Sequence, residues 1–295
     1  MRLTRRTLLA LLSWTAVAPD LRAQPSIPEV TLDILKEQVP THRLEVLDLT
    51  LANGRSFRLF RALPKMAPPP AGYPALYMLD GNGAFDVLTA ELLARAPQAA
   101  VLGIGYPTTL RFELNQRSLD YTPSLTGSGA SPDPQRPERQ IGGAADFLAM
   151  LQDELRLSIE ADLVVDGKRR YLWGHSYGGL FALYALLSEP SAFAGYAAVS
   201  PSLWWDKSAL RQLEEEARLA TAGPARVFVA LGDREQRSDD KRPLEIGPAP
   251  ATMEFVERLR RHQNLLVTAT VLEGLGHGQT FAASIPLVLD LIAAE

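Results

Sequence analysis

The chain has 295 residues, of which 46% are hydrophobic, 22% are charged and 7% are aromatic. This near-average composition excludes collagen-like, coiled-coil and wholly disordered proteins, and the absence of cysteine excludes disulfides, iron–sulfur clusters and thiol nucleophiles. With 30 Lys and Arg against 34 Asp and Glu, the net charge of −4 differs from the basic charge of nucleic-acid-binding proteins. We therefore expect no nucleic-acid partner.

The first residues have the composition of an export signal. Arg5 and Arg6 directly precede an apolar run from Leu8 to Val17. This run is too short to span a bilayer, which takes about 20 residues, and its length suits the apolar part of a signal peptide. Paired arginines before such a run are typical of twin-arginine signals. We expect a periplasmic or secreted protein; a basic tail that stays attached is the alternative.

Two cleavage sites compete within this segment. Cleavage after Ala18 is disfavoured because Pro19 follows it, so cleavage after Ala23 is preferred. We predict a signal peptide of the twin-arginine type over residues 1–23 and one domain over residues 24–295. Once the signal is removed, we expect no stable membrane insertion.

From about residue 43 onward the chain alternates between strand and helix patterns. Asn53-Gly54 separates two stretches of alternating polarity, which predicts an antiparallel hairpin. The predicted strands are 43–51, 55–63, 75–79, 99–106, 171–173, 196–199, 227–231 and 266–272, and the predicted helices are 85–95, 144–160, 177–187, 207–219, 252–262 and 281–294. Repeated strand-then-helix units predict an α/β fold: a mostly parallel sheet with helices on both faces.

One stretch, residues 107–143, interrupts this alternation. It contains Arg111 and Arg117, and it is rich in Gly, Ser and Pro between residues 126 and 137. A long loop within a compact domain is usually a lid or a binding loop. We therefore predict a lid-like insertion here.

The motif Gly174-His175-Ser176-Tyr177-Gly178-Gly179 lies between a predicted strand and a predicted helix. The G-x-S-x-G nucleophile turn of hydrolases requires this context. Its glycines let strand and helix approach closely, and the N–H of Tyr177 lies at a helix N-terminus, where it stabilises an oxyanion. We predict that Ser176 is a nucleophile; a glycine-rich turn that serves only packing is the alternative.

A serine nucleophile needs a base, and the chain has four histidines. His277 follows the last predicted strand in a glycine-flanked loop, where the hydrolase order of Ser, acid and His places the base. The acid is expected after strand 227–231. Glu235 is the preferred candidate because the acid of such hydrolases often stands three residues after the glycine that closes this strand, and Asp233 is the runner-up. A solvated loop carboxylate without a catalytic role is the alternative.

A second oxyanion donor is expected from the loop after strand 75–79, through the backbone N–H of Gly81 or Asn82. The same loop lacks the Gly and Glu that a calcium-binding loop requires at its sixth and twelfth positions. Zinc-protease, Walker and dinucleotide motifs are absent from the sequence. We expect no metal and no cofactor.

Five segments resemble the putative-esterase family of α/β-hydrolases, particularly the periplasmic siderophore esterases that act on enterobactin-type trilactones. These segments are 76–82, 117–123, 174–179, 200–205 and 276–278. The resemblance implies an α/β-hydrolase fold and hydrolysis of carboxylic ester or lactone bonds through an acyl-enzyme, with Ser176 and His277 matching the family's nucleophile and base. Because some siderophore esterases resemble a Ser/His dyad without a well-placed acid, the resemblance supports Glu235 least.

The substrate is expected to be a small-molecule ester. Arg111 and Arg117 are candidates for contacting an anionic or catecholate substrate, and Trp204 for stacking on an aromatic or sugar ring. Solvated arginines and a tryptophan that only packs are the alternatives. An acyltransferase and a carbohydrate or aryl ester hydrolase are alternative functions, whereas a non-catalytic binding protein is disfavoured because every triad position is filled.

Overall fold

One eight-stranded sheet forms the centre of the computed structural model, which describes residues 27–294 apart from 125–126, 128, 206, 218, 220–222, 237–243 and 245. The signal peptide predicted over residues 1–23 lies outside the described residues. The strands of this sheet are β1 (His42–Thr50), β2 (Ser56–Pro64), β3 (Tyr73–Leu79), β4 (Ala100–Gly105), β7 (Val165–His175), β8 (Gly195–Val199), β9 (Ala225–Gly232) and β10 (Leu265–Leu272). Two further strands, β5 (Ser131–Asp133) and β6 (Arg136–Ile141), form a separate antiparallel pair.

The spatial order of the main sheet is β1-β2-β4-β3-β7-β8-β9-β10. Within the described residues, β2 pairs antiparallel with β1 and with β4, and the other neighbouring strands pair in parallel. The helices are α1 (Gly81–Val87), α2 (Ala90–Leu93), α3 (Leu114–Tyr121), α4 (Ala144–Met150), α5 (Arg156–Ile159), α6 (Tyr177–Ser188), α7 (Lys207–Glu216), α8 (Pro250–Leu259) and α9 (His277–Ala293). This architecture confirms the predicted α/β fold with its N-terminal hairpin.

Both faces of the sheet are covered. Successive side chains of a strand point to opposite faces, and along β3 they alternate between two buried clusters: Tyr77 and Leu79 belong to one, Leu76 and Met78 to the other. Helix α6 packs against β7 and β8, while α9 packs against β3, β7, β8 and β9. Strands buried on both faces have continuous apolar sequences, which explains why β3, β4 and β8 appear in the sequence as short apolar runs.

Several predicted elements are wrong in their boundaries; strand 171–173, for example, is the longer β7. The helix predicted over 85–95 is two short helices, because Leu88 adopts an extended conformation and Thr89 then caps α2 by accepting a hydrogen bond from the Leu92 N–H. The last helix begins at His277 instead of residue 281. In addition, the segment 107–143 contains α3 and the β5–β6 pair, so it is less irregular than its composition indicated.

The arrangement of the sheet brings several loops together. Because β3, β7, β8 and β9 run parallel, their carboxyl ends lie at one edge, which is where ligand sites form in open α/β sheets. The residues that follow these strands include Gly81, Ser176, Ser202 and Glu235.

In the described part of the chain, no helix is long and apolar enough to cross a membrane.

Candidate active site

Ser176 occupies a sharp turn between β7 and α6. Its backbone has φ 59° and ψ −114°, a conformation that costs a non-glycine residue about 1–3 kcal/mol and is found mainly at functional sites. The surrounding glycines are sterically required, since a Cβ on Gly174 would lie 2.2 Å from the carbonyl oxygen of Gly178. A Cβ on Gly179 would lie 2.8 Å from the Val199 carbonyl oxygen. The sequence therefore has small residues where strand and helix meet.

Ser176, His277 and Glu235 lie in one hydrogen-bonded series. The Oγ of Ser176 is 3.0 Å from Nε2 of His277, and Nδ1 of His277 is 3.4 Å from Oε2 of Glu235. The second distance is long, but such contacts often shorten when substrate binds. With a proton on Nδ1 facing the carboxylate, Nε2 is an acceptor. The serine hydroxyl can therefore donate to the imidazole, as nucleophilic catalysis requires.

Glu235 is held as a carboxylate. Its Oε1 accepts hydrogen bonds from the Gly232 N–H, at 2.7 Å, and from the Ser200 hydroxyl. Burial would raise the pKa of Glu235, but the hydrogen bonds that it accepts, foremost the one from His277, outweigh burial and lower its pKa below the usual value. The alternative acid Asp233 instead accepts from the Gly274 N–H at 2.7 Å. The geometry thus brings Glu235 next to His277 and gives Asp233 a loop-closing contact.

A second histidine supports the start of α9. His175 is buried, its ring centroid is 4.8 Å from that of His277, and its Nε2 lies 2.8 Å from the His277 carbonyl oxygen. Burial, together with the neighbouring His277 and Arg117, holds the pKa of His175 well below its usual range. Neutral His175 therefore donates its Nε2–H to that carbonyl and fixes the backbone of His277.

Gly81 and Asn82 begin α1, whose first-turn N–H groups have no partner within the helix. The side chain of Asn82 is fully used elsewhere: its Nδ2 donates to the carbonyl oxygens of Tyr106 and Thr108, and its Oδ1 accepts from the Tyr106 N–H. The residues that line the adjacent cavity include Tyr177 but neither Gly81 nor Asn82. Oxyanion binding by these two backbone groups stays a prediction.

A cavity of about 490 Å³ opens onto Ser176 and His277. Its lining consists of Leu114, Arg117, Ser118, Arg136, Arg139, Ser176, Tyr177, Ser202, Trp204, Gln236, His277 and Gly278. The described residues of this lining include three arginines and no carboxylate. Arg136 and Arg139 belong to β6 and were missed by the sequence reasoning, because their only signal was their position in the segment 107–143.

The two arginines singled out from the sequence are both paired. Arg117 lines the cavity, but it is buried and forms two 2.8 Å hydrogen bonds with the carboxylate of Asp80. Burial disfavours its charge, yet Asp80 more than compensates and raises the pKa of Arg117. Arg111 pairs with Asp86 and is not among the cavity-lining residues. The structure thus places Arg111 outside the cavity lining, and its contact with substrate stays a prediction.

Trp204 and Trp205 differ in their surroundings. Trp204 lines the cavity, is 40% exposed and lies 6.0 Å from the ring of Tyr177. Trp205 packs against the edge of the Tyr177 ring at 5.3 Å and against the buried core. Trp204 therefore has the exposed aromatic face, and its stacking on substrate stays a prediction.

Among the described side chains, no group of three or more His, Asp or Glu is placed to hold a metal ion.

Comparison with known proteins assigns this chain to a family of ester hydrolases. The family model described as "Putative esterase" matches residues 52–277. The apo-salmochelin esterase of Escherichia coli is 32% identical over 247 residues, covering 82% of this chain and 76% of that protein. The ferri-bacillibactin esterase BesA of Bacillus subtilis is 36% identical over 197 residues, covering 62% of this chain and 67% of that protein.

Solved structures give the same assignment. The enterobactin and salmochelin hydrolase IroE superposes with a TM-score of 0.73 and 29% sequence identity, covering 89% of this chain and all of that chain (100%). The BES protein from Bacillus cereus superposes with a TM-score of 0.71 and 28% identity, covering 87% of this chain and 98% of that chain. Fold and sequence therefore point to the same group of hydrolases.

Proposed function

Because this chain belongs to the putative-esterase family and is a hydrolase of carboxylic esters, we propose that it opens the ester bonds of an anionic, catecholate-bearing siderophore trilactone. The observation that carries the proposal is the hydrogen-bonded series Ser176–His277–Glu235, of which Ser176 and His277 line a cavity that also contains arginines. The names of the relatives, which are esterases of salmochelin and bacillibactin, support the same substrate class.

The proposed reaction proceeds through an acyl-enzyme. His277 Nε2 takes the proton of Ser176 as Oγ bonds to the ester carbonyl carbon, and the N–H groups of Tyr177 and Asn82 or Gly81 stabilise the oxyanion. The ester C–O bond then breaks, and His277 gives the proton to the leaving alkoxide. Water repeats the sequence and releases Ser176. Glu235 accepts the Nδ1–H throughout and stabilises the imidazolium.

The charge of the cavity favours an anionic substrate. Asp80 compensates the charge of Arg117, whereas the described residues that line the cavity with Arg139 include no carboxylate. Arg139 is half-buried and has no salt bridge within the described residues. A catecholate bound here would pair with this arginine, and the exposed ring of Trp204 offers an aromatic surface for the same group.

The test compares a ferric catecholate trilactone with a neutral p-nitrophenyl ester, using purified protein. Ser176→Ala is expected to abolish turnover of both substrates. Arg139→Ala is expected to lower kcat/KM for the trilactone about 10-fold or more, because a hydrogen bond to a charged group is lost, and to change turnover of the neutral ester less than about 2-fold.

Arg95→Ala, which removes an exposed arginine paired with Asp290, is the matched control and should leave both activities unchanged. Retained activity in Ser176→Ala would overturn the assignment of the nucleophile. Equal effects of Arg139→Ala on the two substrates would overturn the role of cavity charge. Trapping of the acyl group by added alcohols in preference to water would indicate an acyltransferase.

A further inference from the structure

A second hydroxyl lies beside the nucleophile and has no part in the reaction described above. Ser202 follows β8, is 1% exposed and lines the cavity. Its Oγ is 3.2 Å from the Oγ of Ser176, and its backbone N–H donates to the Ser176 carbonyl oxygen at 3.2 Å. Within the described residues, the Ser176 hydroxyl is the hydrogen-bond partner of the Ser202 side chain. The turn that presents the nucleophile therefore also fixes this second hydroxyl.

The direction of the hydrogen bond between the two hydroxyls follows from counting protons. Ser176 has one hydroxyl proton, which points to His277 Nε2 because Nδ1 carries its proton toward Glu235. Ser202 must then be the donor to Ser176 Oγ. One lone pair of the nucleophile is occupied by Ser202, and the other is left to attack the carbonyl carbon.

We propose that Ser202 is a catalytic residue that accelerates deacylation by donating a hydrogen bond to the departing Oγ of Ser176. This inference rests on the proposed function, in which Ser176 forms the acyl-enzyme. Only an interaction that is stronger in the transition state than in the preceding ground state speeds a step. The structure shows the bond already formed in the free enzyme, so Ser202 adds little to acylation.

In the acyl-enzyme, by contrast, the hydrogen bond from Ser202 is weak in the ground state and can strengthen during the step. There Ser176 Oγ is an ester oxygen, whose electron density is delocalised into the carbonyl group, so it is a weak acceptor. Addition of water makes the acyl carbon tetrahedral, removes that delocalisation and makes Oγ a stronger acceptor. The hydrogen bond from Ser202 therefore strengthens along this step, which is the condition for catalysis.

The atoms and electrons balance in this step without a net proton transfer to or from Ser202. The water oxygen bonds to the acyl carbon and its proton passes to His277 Nε2. The C–Oγ bond then breaks, its electron pair returns to Oγ, and Nε2 gives the proton back to Ser176. Ser202 keeps its own proton throughout and only donates a hydrogen bond.

Rapid-mixing kinetics with a p-nitrophenyl ester test the proposal. In Ser202→Ala the rate constant of the acylation burst should stay within about 2-fold of wild type. Deacylation should slow about 3- to 10-fold, the range expected for one neutral hydrogen bond. kcat and KM should fall together because the acyl-enzyme accumulates, and Ser202→Thr, which restores a hydroxyl, should recover part of the deacylation rate.

Ser158→Ala is the matched control, because that hydroxyl lies on α5, outside the cavity lining, and donates to the Glu154 carbonyl oxygen. It should leave both rate constants unchanged. Equal slowing of acylation and deacylation by Ser202→Ala would show a merely structural role, and unchanged deacylation would also overturn the proposal. If Ser202→Ala fails to fold, Ser202→Cys, which keeps the volume and weakens the donor, gives the same readout. Activity in Ser176→Ala would instead refute the proposed function.

Discussion

At the scale of single residues, the orientation of Glu235 depends on which of its oxygens is occupied. Two donors, the Gly232 N–H and the Ser200 hydroxyl, hold Oε1, so Oε2 remains for His277. The Oγ1 of Thr280 lies 2.6 Å from Ser200 Oγ and extends this buried set of hydroxyls. A carboxylate fixed in this way keeps the proton of the imidazole on Nδ1, which leaves Nε2 ready to accept from the nucleophile.

Glu235→Gln tests this arrangement, because it keeps the shape of the side chain and removes its charge. We expect kcat/KM to fall at least about 100-fold, since the imidazolium loses its stabilising charge and the required tautomer is no longer imposed. The pKa of Glu235 is lowered from 4.5, so it is ionised throughout the neutral range and the loss should be constant there. The matched control is Asp233→Asn, which should retain nearly full activity; a larger loss there would reassign the acid.

At the scale of elements, the turn from β7 into α6 combines backbone strain with close packing. Ser176 is held at positive φ by hydrogen bonds on both sides: its N–H donates to the Val199 carbonyl at 2.9 Å, and its carbonyl accepts from the Leu180 N–H at 2.9 Å. Strand and helix approach so closely here that Gly174 and Gly178 are in direct backbone contact. The strained serine therefore persists because the packing of two elements determines it.

Gly174→Ala is expected to destabilise the protein by at least about 2 kcal/mol and to abolish ester turnover. The added Cβ would meet backbone atoms of Gly178, which cannot move without displacing the helix. Urea unfolding followed by circular dichroism measures the loss. Gly223→Ala is the matched control, since nothing lies within 4 Å of its added Cβ, and it should leave stability nearly unchanged. Equal stability of the two variants would contradict the steric argument.

At the scale of the whole molecule, the N-terminal segment is attached to the catalytic domain shortly after the predicted cleavage site. The Arg111 N–H donates to the Pro28 carbonyl and the Val30 N–H to the Thr109 carbonyl, while the carboxylate of Asp86 accepts from the N–H groups of two residues in this segment. Cleavage after Ala23 leaves all of these contacts in place. The proposed export signal and the described fold are therefore compatible.

We predict that the mature protein begins at Gln24 and is found in the periplasm or the medium. Intact-mass measurement and N-terminal sequencing of the exported protein test this directly. Replacing Arg5 and Arg6 together by Lys should prevent export if the signal is of the twin-arginine type, because that route depends on both arginines. A mature N-terminus at Pro19 would favour the other cleavage site, and unprocessed protein inside the cell would contradict the proposal.

The sequence by itself determined the elements of the fold and the nucleophile motif. Both depend on local patterns: apolar runs specify the buried strands, and the glycines around Ser176 specify a turn between strand and helix. The order of the chain also indicated His277 as the base. The predicted start of the last helix, residue 281, is wrong because the helix begins at His277. Helix ends depend on single backbone conformations and not on periodicity.

The tertiary structure decided the rest of the candidate site. It brought Glu235 rather than Asp233 to His277. Only Arg234 lies between these two acids, but the direction of a side chain at a strand end depends on the loop that follows. It placed Arg136 and Arg139 in the cavity lining and Arg111 outside it, and it brought Ser202 next to Ser176. These are contacts between side chains on different strands and loops, and a one-dimensional pattern carries no information on which of them meet.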